Sequence, residues 1–225
     1  MEKKEEEFSL TQMRKSVEKL GYSTEMFGER TLMRFLIARS MNPEKAAKMF
    51  VEWKKWRAAM VPNGFISESE VPDELETRKI YLQGLSKDKC PVLIVKASKH
   101  FPSKDQLQFK KFVVHLLDKT IASILHIRTL TARGLITGFQ FLQAYYPERL
   151  ARCYILNMPR FFVSVWRMVS YFLEKATLEK IVIVSNDDER REFIKEVGEE
   201  TLPEEYGGRS KLVAIQDVVL TSLES

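Results

Sequence analysis

Apolar positions in the first 60 residues recur at helical spacing. Leu10, Met13, Val17 and Leu20 form a sparse stripe that predicts a helix over 9–20, stopping at Gly21 where a C-capping glycine belongs. Leu32, Phe35 and Leu36 predict a second helix over 31–39. Asn42-Pro43-Glu44 carries the N-cap, first-position proline and first-turn acid of a third, with Ala46, Met49, Phe50, Trp53 and Trp56 on one stripe and both tryptophans expected as core anchors. Pro62, Asn63, Gly64 and Pro72 then mark a loop between lobes.

The period changes beyond the loop. Residues 79–85 (KIYLQGL) and 91–95 (PVLIV) read as neighbouring strands around the Lys87-Asp88-Lys89 turn. Ser103 and Gln106 have the spacing of a capping box ahead of a long helix with the stripe Phe109, Phe112, Val113, Leu116, Leu117, Ile121 and Ile124. A further helix is expected over 132–145, facing inward through Leu135, Ile136, Phe139 and Leu142. Its Gly134 and Gly138, four apart, permit a close approach. Residues 153–156 and 180–184 read as buried strands. Helices alternating with short strands predict an α/β lobe with a mainly parallel sheet, behind an N-terminal helical lobe.

Residues 161–173 (FFVSVWRMVSYFL) stand apart, because Phe161, Phe162, Val163, Val165, Trp166, Met168, Val169, Tyr171, Phe172 and Leu173 leave almost no polar face. Such a helix is either buried all round or covers an apolar cavity while touching a second apolar medium.

Composition bounds the chemistry. In 225 residues, 44% hydrophobic and 30% charged, there is material for one or two packed domains. The 36 Lys and Arg against 31 Asp and Glu give a net charge of +5, which permits an anionic partner without requiring one. Cys90 and Cys153 lie far apart, outside any disulfide or zinc spacing, and are expected as buried thiols in a reducing compartment. No apolar run approaches the about 20 residues that span a bilayer. The charged start MEKKEEE is unlike a signal peptide, so a soluble, cytoplasmic chain is expected. Dinucleotide, P-loop, nucleophile-elbow and H-E-x-x-H motifs are all absent. His100, His115 and His126 lack metal-ligand spacing, and Asp187-Asp188-Glu189 and Glu199-Glu200 read as solvated faces. Neither catalysis, a metal, a cofactor nor nucleic-acid binding is expected.

Several segments, in order, resemble the CRAL-TRIO proteins, the Sec-fourteen-like phosphatidylinositol transfer family, with plant-type members most similar. They are Leu32–Arg39 followed by PEKAAKMFVEWKKWR (43–57), Tyr145–Leu150 (YYPERL) with Tyr154–Pro159 (YILNMP), then Phe172-Leu173, Thr177, Glu179–Val182 and Leu202–Gly208 (LPEEYGG). The resemblance spans about residues 9–217. It implies an N-terminal helical lobe over 9–61 and a lipid-binding lobe over 62–220 whose sheet floors a hydrophobic pocket. It also implies a gating helix that opens at a membrane, where the all-round apolar helix falls, with Phe162, Val165, Trp166, Val169 and Phe172 on the gate or pocket. The headgroup contacts carry over to Arg39, Thr177 and Lys180, with Glu148 and Arg149 in a charged network near the gate. The implied ligand is phosphatidylinositol or a related phospholipid, held by a monomer that visits membranes transiently. Thr177 and Lys180, three apart, share one face if they lie on a helical turn. Arg39 also reads as a cation at a helix C-terminus, and Lys180 as a solvated residue at a strand edge.

Two departures qualify the resemblance. Ser40 follows the matched arginine where the family commonly has a second basic residue. Between about 120 and 132 the chain is shorter than the family pattern, and a central strand of the pocket floor is expected to be missing. Residues 125–130 (LHIRTL) read either as a substitute strand or as a continuation of the long helix, and a truncated splice form or a flawed gene model would also explain the shortening. The rival function is a regulatory interaction module that keeps the surface without a working pocket.

Overall fold

The computed structural model describes residues 2–99, 103–123, 127–130, 141–158, 166–167, 170–171 and 173–218. The chain forms two compact units, one of Met1–Gly64 with Leu142–Glu148, the other of Phe65–Phe141 with Arg149–Ser225. Residues 142–148 thus group with the N-terminal helices, where sequence alone puts them in the second lobe. The reason is aromatic: the Tyr145 ring stacks on Trp56 at 3.8 Å, Tyr146 lies edge-on to it at 6.2 Å, and Arg57 donates to the Tyr146 hydroxyl at 3.3 Å. Trp56 is therefore a docking ring for this segment rather than part of the main helical core.

In the first unit, α1 (Glu2–Lys19) starts earlier than its stripe suggests, and Lys19 in its last turn suits the negative end of the helix dipole. Leu10, Met13 and Val17 are buried, while Leu20 lies outside the helix and is 44% exposed. Gly21 closes the helix at φ +80°, its N–H donating to the Glu18 carbonyl at 2.8 Å. Leu32, Phe35 and Leu36 are the buried face of α2 (Glu29–Ile37). In α3 (Pro43–Met60) the Asn42 side chain accepts from the Lys45 N–H at 2.9 Å, which satisfies an otherwise orphaned donor. Phe50 meets Phe27 and Phe35 edge-on at 5.1 and 5.3 Å, and Trp53 lies 5.6 Å from each. Pairs of this kind contribute about 0.5–1.5 kcal/mol each beyond area burial.

The second unit holds a sheet of β1 (Ile80–Leu85), β2 (Pro91–Val95), β3 (Ile127–Leu130), β4 (Leu150–Leu156) and β5 (Ile181–Val184), in that spatial order. β1 and β2 form the antiparallel hairpin, and the other pairings are parallel. The expected gap in the sheet does not occur. Residues 127–130 pair with β2 (Leu93 opposite Thr129) and with β4 (Thr129 opposite Cys153), so of the two readings of 125–130 the strand is the one realised. Both faces are buried. Tyr81, Val92, Ile94 and Tyr154 pack with Val184 and with Phe193 and Val197 of a helix over Asp187–Val197; Ile80, Leu82, Leu93, Cys153 and Ile155 are buried on the other side.

The long helix, α4 (Pro72–Glu76) preceding it, is α5 (Gln106–Ser123). Its cap is Asp105, not Ser103: the Asp105 carboxylate accepts from the N–H groups of Leu107 and Gln108 at 2.8 and 2.9 Å, whereas the Ser103 hydroxyl donates to the Asp105 carbonyl. Asp105 adjoins the helix, so its carboxylate rather than the Ser103 hydroxyl reaches the orphaned donors. Gln108, Lys111, His115 and Lys119 lie on one face of α5 and hold the incoming segment through Asp73, Glu70, the Ile66 carbonyl and Glu68. The Lys111 hydrogen bond, aided by the Ser67 N–H, holds the Glu70 carboxyl below its usual range. Behind this strap lies a buried ion pair, Lys79 Nζ to Glu74 Oε2 at 2.5 Å, with the ammonium 5.2 Å from the Phe112 ring centroid.

Two consequences are testable by denaturant unfolding. Lys79→Met strands the buried Glu74 carboxylate and should cost about 3–5 kcal/mol, of which Lys79→Met/Glu74→Leu should recover a large part; equal losses would remove the buried charge as the cause. Gly208→Ala would place a Cβ 1.9 Å from the Leu202 carbonyl oxygen and should cost about 1–3 kcal/mol.

Candidate functional site

Thr177 and Lys180 are positioned by backbone. α6 (Lys175–Leu178) follows the extended Glu174, whose carbonyl accepts from the Thr177 N–H at 2.9 Å. The Lys180 N–H donates to the Thr177 carbonyl at 3.1 Å, and the Lys180 carbonyl accepts from Cys153 N–H of β4 at 2.8 Å. The two residues therefore sit on one helical turn whose exit is tied to the sheet, which meets the condition set by their spacing. Both are half-buried. Lys180 lies one residue ahead of β5, so the strand read over 180–184 begins at Ile181.

Arg39 follows α2, where its guanidinium donates to the Ala38 carbonyl at 2.8 Å. This is the geometry of a cation satisfying a helix C-terminus. The next two residues, Ser40 and Met41, have φ of +51° and +59°, and Met41 N–H returns to the Leu36 carbonyl at 2.7 Å, so the turn that presents Arg39 is tightly closed. Glu148 occupies a left-handed position (φ +53°) two residues ahead of β4, and Arg149 joins it to the strand. Arg39 and Glu148 belong to the helical unit; Arg149, Thr177 and Lys180 belong to the sheet unit.

Of the residues expected on a gate, Phe162, Val165, Val169 and Phe172 lie outside the described residues. Trp166 is helical and half-buried, Tyr171 is helical and 85% exposed, and Leu173 is buried. His100, His126, Gly134 and Gly138 also lie outside the described residues. His115 is buried with Nδ1 2.9 Å from the Ile66 carbonyl. Since a carbonyl only accepts, Nδ1 carries the proton. Both cysteines are buried thiols. Among the described residues no three His, Cys, Asp or Glu side chains converge as metal ligands, and no helix is long and apolar enough to cross a membrane.

The acidic run at 187–189 opens α7, the helix over Asp187–Val197, behind the Asn186 N-cap. Ser185 donates to Glu189 from its backbone N–H at 2.7 Å and its hydroxyl at 2.8 Å, which holds that carboxyl below its usual range. The run is thus a helix start as well as a solvated face.

A cleft of about 700 Å³ that sequence reading missed lies beside the β1–β2 turn and is lined by Lys87, Lys89, Arg191, Lys195, Glu199 and Glu200, among others. Arg209 binds Glu199 and Glu200 at 2.9 and 3.5 Å. Leu85, Ile194 and Val197 stand among these charged side chains in the lining. Its parts are about 100 residues apart in sequence, and no local pattern marks their convergence.

Comparison with known proteins follows the same lines. Residues 126–208 match the CRAL/TRIO domain model. A CRAL-TRIO domain-containing protein of Saccharomyces cerevisiae is 27% identical, covering 93% of this chain and 79% of its own. That alignment runs over 248 positions, more than the 225 residues of this chain, so the yeast protein has residues inside the matched span that this chain lacks. The Sec14 cytosolic factor of Schizosaccharomyces pombe is 25% identical over 89% of this chain and 81% of its own. A phosphatidylinositol/phosphatidylcholine transfer protein of Arabidopsis thaliana, SFH4, is 27% identical over 79% of this chain, which spans about a third (34%) of that protein. The crystal structure of Sfh5 superposes with a TM-score of 0.60 at 16% identity, covering 88% of this chain and 77% of that one, a likeness of fold. Residues 126–208 are thus similar to the CRAL/TRIO domain, and a helical unit with a mainly parallel sheet is the fold the chain shares with Sfh5.

Proposed function

We propose that this chain binds one phospholipid and transfers it between membranes without catalysis, and that the preferred headgroup is a phosphoinositide-type phosphodiester. The CRAL/TRIO domain match and the similar transfer proteins support lipid binding and transfer, and the observation that carries the headgroup reading is the turn from Thr177 to Lys180. It offers a hydroxyl and an ammonium three residues apart on a half-buried turn anchored to β4, the donor chemistry a phosphodiester requires. Arg39 supplies a further cation in this reading, and Glu148 and Arg149 form the charged network near the gate. In this reading the acyl chains enter an apolar pocket, where each sheltered CH₂ contributes about 0.8 kcal/mol to extraction. Trp166, with an apolar body and a polar N–H, suits a helix that meets the bilayer interface. The reading places a monomer in the cytoplasm with transient visits to membranes.

A second reading is favoured by one observation. β3 has four residues, and the alignment with the yeast relative is longer than this chain. An internal shortening near 120–132 that narrows the pocket floor would leave an interaction module with a family surface and no lipid inside.

Transfer between donor and acceptor vesicles separates the two. Thr177→Ala/Lys180→Ala should lower phosphatidylinositol transfer about tenfold or more, the loss expected for one charged and one neutral hydrogen bond, with an unchanged circular dichroism spectrum. Equal transfer by the folded double variant contradicts the headgroup assignment. Trp166→Glu should slow membrane-dependent exchange while leaving resident lipid in place; normal exchange would make the helix ordinary structure.

A further inference from the structure

The helical unit carries a surface that lipid enclosure does not use. Residues 1–64 hold thirteen Lys and Arg against nine Asp and Glu, so they account for four of the five net positive charges. The loop between α1 and α2, residues 22–27, is pinned from several sides. Lys54 Nζ donates to the Ser23 carbonyl at 3.1 Å and lies 5.7 and 5.5 Å from the ring centroids of Tyr22 and Phe27. Lys55 Nζ is 5.6 Å from the Tyr22 ring, Arg14 donates to the Thr24 hydroxyl at 3.0 Å, and Phe27 is locked edge-on between Phe50 and Trp53. Neither Lys54 nor Lys55 has a carboxylate partner among the described residues.

From this clamped loop Met26 projects at 90% exposure, the most exposed large apolar side chain of those described, and Leu20 at the loop's entry is 44% exposed. A lone exposed methionine means little. Here its loop is fixed at Tyr22, Ser23, Thr24 and Phe27, so burying Met26 orders nothing further. It also stands beside two lysines and a half-buried tyrosine, the mixture of apolar tip, amphipathic ring and cation that suits the interface of an anionic bilayer.

We propose that loop 22–27, with Lys54 and Lys55, is a second membrane-docking element, separate from the gating helix. Met26 enters the headgroup region and the two ammonium groups face lipid phosphates. The occupant is an anionic lipid surface, because an exposed apolar tip on a fixed loop with an amphipathic ring and two cations matches a bilayer interface, and the net positive charge of residues 1–64 complements anionic headgroups. The inference rests on the reading that the chain visits membranes, but it does not require a loaded pocket.

The test is co-sedimentation of the full chain with phosphatidylcholine vesicles, with and without a quarter phosphatidylserine. The unmodified chain should bind the anionic vesicles, and binding should fall as salt shortens the Debye length from about 10 Å to about 3 Å. Met26→Asp and Lys55→Glu should each weaken binding about fivefold or more, given about 1 kcal/mol per basic residue near such a surface. Both side chains are exposed, so unfolding midpoints should not move; the milder Met26→Ser and Lys55→Ala serve if they do. Equal binding by the variants, no binding by the unmodified chain, or variants that lose retention on polyglutamate while keeping vesicle binding would each overturn the proposal. Mass spectrometry of the same samples keeps the two readings apart. An empty chain that docks through this loop preserves the inference and counts against transfer, and a loaded chain whose docking ignores both variants does the reverse.

Discussion

A parallel sheet is continuous only if every interior strand satisfies hydrogen bonds on two sides, and here that demand falls on four residues. Ile127–Leu130 pair with β2 on one edge and β4 on the other. Were they helical, the facing edges of β2 and β4 would leave buried N–H and C=O groups, at about 1–3 kcal/mol each. The ladder passes from β3 to β4, from β4 to β5, and from β4 to the carbonyl of Lys180. The turn bearing Thr177 and Lys180 is therefore only as well placed as this short strand. Sequence propensity is divided there, since LHIRTL is as easily appended to α5, and the pairing needs of its two neighbours decide in favour of strand.

What local chemistry controls was legible. Asn42-Pro43 opens α3, Gly21 ends α1, and the β1–β2 hairpin and the parallel strands β4 and β5 fall where their apolar runs predict. The closing LPEEYGG motif also has a visible cause, because Gly208 passes so near the Leu202 carbonyl that a side chain has no room. Errors arise where two local solutions compete or where distant segments meet. Asp105 displaces Ser103 as a cap because it adjoins the helix, and residues 142–148 leave the second lobe because Trp56 offers Tyr145 a stacking face 3.8 Å away. The Lys79–Glu74 pair and the strap along α5 come from tertiary packing, which neither spacing nor composition encodes.

The candidate site was legible in a narrower sense. Spacing and resemblance identify Thr177 and Lys180, and the turn joining them has the backbone that spacing requires. Arg39 shows why residue type alone does not fix a role: its guanidinium already serves the Ala38 carbonyl, so a headgroup contact in the proposed reading has to share or replace that bond. Burial on both sheet faces gives the second unit an apolar interior.

Lipid transfer by this chain requires that a lipid reside in the unit built on a sheet with so short a centre. Native mass spectrometry of the purified full chain, followed by identification of the lipid in an organic extract, addresses this directly. One phospholipid per monomer is expected, with inositol headgroups prominent among them. A monomeric, cooperatively folded chain that carries no lipid would contradict transfer.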